Sequence, residues 1–336
     1  MKINTPLTLI ALMLTCPGLC LQTRAVTPPP DGAYANLTTA EGQNALLQLT
    51  TGMANTAVGW FSLKSVTTGS FNTGLGAGTL VLNTGNDNTA TGVAALLLNT
   101  TGTDNTANGT AALVHNATGN SNTAVGAFAL NSNTTGDGNT GNGASALFSN
   151  TTGSDNTAIG SQALVSNTQG SSNTATGGSA LFSNTTGNAN TANGEEALFS
   201  NTIGGANTAM GAAALTSNTT GFGNTADGFQ ALQSNTSGNG NTAIGLAALS
   251  GNTVGAENTA IGFNALAANI DGANNTAIGS GALVNSNGDF NTAIGLGALS
   301  NNTTGSSNIA LVALLERASP PQLTLFVSAR SSMVRM

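Results

Sequence analysis

The chain repeats one 17-residue unit, N-T-A-x-G-x-x-A-L-x-x-N-T-x-G-x-x, sixteen times in succession from residue 38. Each unit opens on an Asn, at 55, 72, 88, 105 and onward to 258, 275 and 291, with Thr38 in that slot of the first unit. The units opening at Asn72 and Asn275 are one residue shorter than the rest. A fixed period this short cannot bury a core of its own, so the chain must coil and stack each turn on the one before. The expected fold is therefore all-β, a parallel β-solenoid or β-roll of about 16 coils with a 17-residue period. Two short strands per coil are expected. At about 4.8 Å per rung, sixteen coils make a rod on the order of 75 Å long.

The repeat columns divide the work among residue types. Position five is Gly in all sixteen units, as at Gly160 and Gly245, and a second Gly column stands three residues before each new unit. Gly accepts positive φ without a Cβ clash, so both columns read as corners, the second reinforced by Asn of the N-T-T-G run. Position nine is Leu throughout, for example Leu113, Leu164, Leu215 and Leu266, and position eight is Ala in all but two units. These, with the small residue at position three, are the expected interior. Strand alternation puts positions one, three and five on one face and positions two and four on the other. Stacked Asn residues such as Asn156 and Asn241 should hydrogen-bond up the axis as a ladder. Position four mixes Ile159 and Ile244 with Asn108, Thr176 and Asp227. A buried column would not accept such polar groups, so this position is expected on an outer face.

The ends differ from the repeat. Residues 1–25 read as a secretory signal peptide, with Lys2, the apolar stretch Leu7 to Leu14 and a small-x-small-like site at Thr23-Arg24-Ala25. Residues 26–37 read as a linker or N-terminal cap, and 38–311 as the solenoid. Residues 312–336 form an irregular tail, either a cap or the product of a frameshift or truncation. Both cysteines, Cys16 and Cys20, fall within the leader, so no disulfide and no thiolate chemistry is expected beyond it. Charged residues are only 6% of the chain, and Lys64 is the sole basic residue in the repeats. That is no electrostatic footprint for nucleic acid, which needs clustered Lys and Arg.

Catalysis needs a nucleophile, base or metal gathered in a pocket, and a thin uniform rod offers none. His115, the only histidine, occupies a variable corner where other units carry Ser or Asn. Glu195 and Glu196 are adjacent, so they point to different sides rather than forming a carboxylate pair. Asp87, Asp104, Asp137, Asp155 and Asp289 recur just before an opening Asn, but the G-G-x-G-x-D calcium motif is absent. No catalytic residue, metal or cofactor is expected. The candidate exposed contact residues are Thr157 and Thr174 of the invariant Thr column, and Phe148, Phe182 and Phe199 at position ten.

The unit N-T-A-I-G-x-x-A, written in full at 156–163, 241–248, 258–265, 275–282 and 291–298, resembles the head repeat of trimeric autotransporter adhesins, the YadA-like head. The resemblance implies a left-handed parallel β-roll, a homotrimer, a bacterial cell-surface or outer-membrane location, and adhesion to extracellular-matrix, host-surface or other cell-surface molecules. The usual family repeat is shorter, so the additional residues should widen the N-T-T-G corner. Neither the heptad stalk nor the membrane strands of the family's anchor is recognisable in this chain.

Three functions compete. The first is a non-enzymatic, secreted or cell-surface, adhesin-head-like structural or interaction protein without a transmembrane segment in the mature chain. An alternative is an ice-binding β-solenoid using the Thr column, with literal T-x-T units at Thr89-Ala90-Thr91 and Thr174-Ala175-Thr176. The third is a passive spacer or matrix protein.

Overall fold

In a computed structural model of the chain, residues 35–312 and 325–328 are described. The leader expected over residues 1–25 and most of the 26–37 and 312–336 segments lie outside them. Strands of three residues each begin at position two of successive units, from β1 (Thr39–Glu41) and β2 (Thr56–Val58) through β3 (Thr73–Leu75) to β16 (Thr292–Ile294). They are followed by β17 (Ile309–Val312) and β18 (Leu325–Ser328). Each of β1 to β16 pairs in parallel with the next strand, Thr on Thr and Ala on Ala or on the Gly of β3 and β7, until Thr292 meets Ile309. The register step is one repeat unit, and it falls to 16 residues where Thr73 meets Thr89 and Thr276 meets Thr292. β18 closes the order by pairing antiparallel with β17. The chain is a β-solenoid with a period of about 17 residues and almost no helix.

There is one strand per coil, not two. The side expected to be a second strand is a stack of turns in which positions seven and nine have positive φ, as at Ala111 (55°) and Leu113 (51°). Position eight donates to the carbonyl of position five, Ala112 to Gly109 at 3.3 Å, and position twelve to that of position nine, Asn116 to Leu113 at 3.3 Å. A strand sends adjacent side chains to opposite faces. Here Ala112 and Leu113 are adjacent and both fully buried. The left-handed residues rotate the chain so that both point inward. Strain in the left-handed region for a side-chain-bearing residue recurs in every coil and is held in place by inter-coil bonds such as Leu113 N–H to Ala129 O at 3.0 Å.

The interior is two residues thick. Ala of the strand, such as Ala158, packs against the Ala–Leu pair of the turn side, and this column runs as one apolar core from Leu46 to Ala298. Three of its exceptions, Ser62, Gly74 and Thr79, compensate one another. Where the strand carries Gly74 in place of Ala, position eight carries Ser62 and Thr79 instead of Ala. A Cβ on Gly74 would lie 2.5 Å from Ser62 Oγ and 2.7 Å from Thr79 Oγ1. Ser62 Oγ donates to Gly74 O at 3.0 Å and hydrogen-bonds Thr79 Oγ1 at 2.8 Å. The buried hydroxyls thus fill the missing methyl's space and are satisfied there, as buried polar groups must be.

Both Gly columns lie tight against the next coil, and only the first adds a positive φ. At position five, Gly126 has a φ of 125°, and a Cβ there would meet Gly143 C at 2.7 Å. The second column has no positive φ. A Cβ on Gly119 would lie 2.5 Å from both Asn116 Oδ1 and Gly136 O. Close approach of coil to coil, rather than left-handed conformation, demands Gly at this corner. The two short units write N-T-G or S-N-G here where most others write N-T-x-G, so the missing residue is lost at this corner.

Candidate functional site

Burial along the rod separates a structural interior from one repeating outward face. Position-one Asn residues are fully buried and form the expected ladder. Asn156 Oδ1 accepts from Asn173 N–H and from Asn173 Nδ2, both at 3.1 Å, while Asn156 Nδ2 donates to Asn139 Oδ1 at 3.0 Å and to Gly170 O at 2.8 Å. Asn241 repeats the pattern on Asn224 and Gly255. A second buried Asn ladder stands at position twelve. There Asn167 Nδ2 donates to Asn150 Oδ1 at 2.8 Å and to Gly170 O at 2.9 Å. From sequence these residues read only as turn formers. Their recurrence at one position was the available signal, but Asn is common enough in turns to hide it.

Two of the acids before a unit, those that stand two residues ahead of the opening Asn, have a structural explanation too. Asp137 Oδ1 accepts from Asn120 N–H at 2.7 Å, and Asp289 Oδ1 from Ala273 N–H at 2.8 Å. Asn86, Asn120 and Asn188 do the same for Ser70, Thr103 and Ser171. Each side chain caps an amide of the preceding coil. His115 is half-buried and its Nδ1 lies 3.0 Å from Asn131 O. Glu195 and Glu196 are both exposed. Among the described residues, no three His, Cys, Asp or Glu side chains gather closely enough to hold a metal ion, and no helix is long and apolar enough to cross a membrane.

What remains is the strand face. Every strand from β2 to β16 has the pattern outward, inward, outward, with position three buried and positions two and four half-buried or exposed. Thr therefore forms one unbroken rank from Thr39 to Thr292, and position four forms a second rank beside it. Thr157 is half-buried in this rank and Thr174 exposed. Phe148, Phe182 and Phe199 are placed elsewhere. They lie half-buried on the turn side, beyond the Leu column, and the rings of Phe182 and Phe199 stack at 4.9 Å and 13°. The two sets of candidate contact residues thus share no surface.

The second rank changes character along the rod. Up to Asp227 its apolar members alternate with Thr91, Asn108, Asn142, Thr176 and Asn193. From Ile244 onward it is Ile261, Ile278, Ile294 and Leu311 without interruption. Only the position-four letter of each unit had to be followed to see this, and the run stands out once its exposure is known. No known protein family, curated protein or solved structure matches the chain.

Proposed function

We propose that this is a non-enzymatic, secreted or cell-surface, adhesin-head-like interaction protein that presents its strand face to a partner. The supporting observation is the outward-facing double rank of Thr and position four, which repeats on every rung from β2 to β16. A flat ladder of this kind binds by summing many equivalent weak contacts over its length, as extended solenoid surfaces do. Extracellular-matrix, host-surface and other cell-surface molecules are the ligands this reading favours, and a homotrimer is its assembly. Retention of the chain on immobilised matrix proteins and on cell monolayers is the test. Retention no greater than that of an unrelated acidic control protein counts against adhesion. Sedimentation equilibrium showing only monomer counts against the trimer.

Ice binding is a second reading, favoured by the Thr rank being unbroken and outward-facing. Thr89 with Thr91 and Thr174 with Thr176 place hydroxyls in both ranks of one rung. Measurable thermal hysteresis that disappears when several rank Thr are replaced supports it, and no hysteresis ends it. A chain that neither adheres nor shows hysteresis is a passive spacer or matrix component.

A further inference from the structure

We propose that the strand face over residues 241–311 is a self-association surface, covered by the same faces of the other copies of this chain in its homo-oligomer, while the face before it stays open. The assignment rests on the homo-oligomeric part of the reading above and confines the contact to one end of the rod.

The run from Ile244 to Leu311 is a continuous apolar column on the outside of the molecule. Position six, just beyond the Gly corner, adds Leu246, Phe263 and Leu296 beside it. Apart from Ile261, which is half-buried, these side chains are between 36% and 63% exposed. At about 200 Å² per large side chain the exposed apolar surface is roughly 650 Å². That stands at the upper end of the roughly 300–600 Å² that the largest apolar patch of a monomer usually covers, a size at which patches are often functional. It approaches the roughly 800 Å² per partner of a stable interface, and the adjoining Thr rank supplies more.

Charge sets the limits of the surface. Within residues 241–311 the only charged residues are Glu257, Asp271 and Asp289, and none stands at position two, four or six. Asp227, on the rung before Ile244, carries a carboxylate at position four itself. Extending the contact past it would press that charge against an apolar face, which is unfavourable without a partner. Further down, Asn193, Asn142 and Asn108 keep the same column wet.

Spacing selects the occupant. Ranks separated by one β-ladder step, about 4.8 Å, are matched rung for rung only by a surface with the same step. A second copy of this chain has it, and apolar faces of stacked sheets interdigitate on that repeat.

Sedimentation velocity of the full chain across the micromolar range tests this. The variant pair is Ile261→Asn with Ile278→Asn. The chain already carries Asn before the same Gly at 108, 142 and 193, so the substitution respects the fold, and unchanged circular dichroism and melting verify it. Wild type should self-associate, and the double variant should raise the dissociation constant by at least ~100-fold. Asn142→Lys, on the wet part of the column, should leave association unchanged. A wild-type chain that is monomeric throughout overturns both this surface and the homo-oligomeric reading, while adhesion is judged separately by retention. An oligomer that the Ile variants do not weaken overturns this surface alone. Dissociation by Asn142→Lys overturns its confinement to residues 241–311.

Discussion

Replacing Ser286 by Asn should stabilise the C-terminal coils. The position-twelve ladder runs unbroken from Asn83 to Asn269, each Nδ2 donating to the Oδ1 one coil before, as Asn269 does to Asn252 at 2.7 Å. The next coil carries Ser286, and Asn269 Oδ1 is left as a buried oxygen without a partner. The rung beyond reaches back only as far as the hydroxyl, Asn302 Nδ2 to Ser286 Oγ at 3.1 Å. A buried unsatisfied acceptor costs about 1–3 kcal/mol and a restored bond contributes about 1 kcal/mol net. Ser286 is fully buried, so the larger amide must find room. The other short coil shows that it can. Asn83 sits at the same position of a 16-residue unit and accepts from Asn99 Nδ2 at 2.6 Å. A net gain of about 1–2 kcal/mol is expected, which is roughly a 5–30-fold change in an opening equilibrium. Because a repeat array need not unfold in one step, local amide hydrogen exchange over residues 258–307 is the suitable assay. Protection there should rise by that factor, while Ser286→Ala, which removes the partner of Asn302, should lower it. Exchange that is unchanged or faster in Ser286→Asn would refute the ladder as a source of stability.

Three further substitutions test other parts of the frame. Leu164→Ala removes the one large side chain that its coil buries, and a loss of about 3–5 kcal/mol is expected, read as increased exchange in that coil and its neighbours. Asn156→Ala deletes the acceptor of Asn173 N–H and the donor to Gly170 O. It should cost at least about 2 kcal/mol in the local opening free energy read by hydrogen exchange over that coil and its neighbours, and a loss below half of that would demote this ladder to decoration. Gly126→Ala forces a Cβ to within 2.7 Å of the next coil at a φ of 125°. Soluble, fully protected Gly126→Ala protein would contradict the close stacking.

Much of this was legible in the residues. The period, the parallel register, the Asn ladder at position one, the buried Leu and the outward position four all follow from identity recurring at fixed spacing. The second strand did not follow, although the adjacent inward pair at positions eight and nine already violated strand alternation. Leu in the left-handed region is rare enough that a strand was the natural expectation, and it is the stacked coils, through hydrogen bonds and burial, that hold Leu113 there. The candidate site was half legible. Thr157 and Thr174 belong to the exposed face, whereas Phe182 and Phe199 stack on one another across the core from it.

By itself the sequence determined the architecture, because sixteen copies of one unit can satisfy their backbone and bury their Leu only by stacking in register. The tertiary structure decided what each recurring letter is for. Two invariant Gly columns look alike in the chain, and both are pressed against the backbone of the next coil, yet only one of them also answers a positive φ. Two Asn columns look like turn residues, yet both are buried donors and acceptors in continuous ladders. Such distinctions depend on what lies one coil away, about 17 residues along the chain but one rung distant in space.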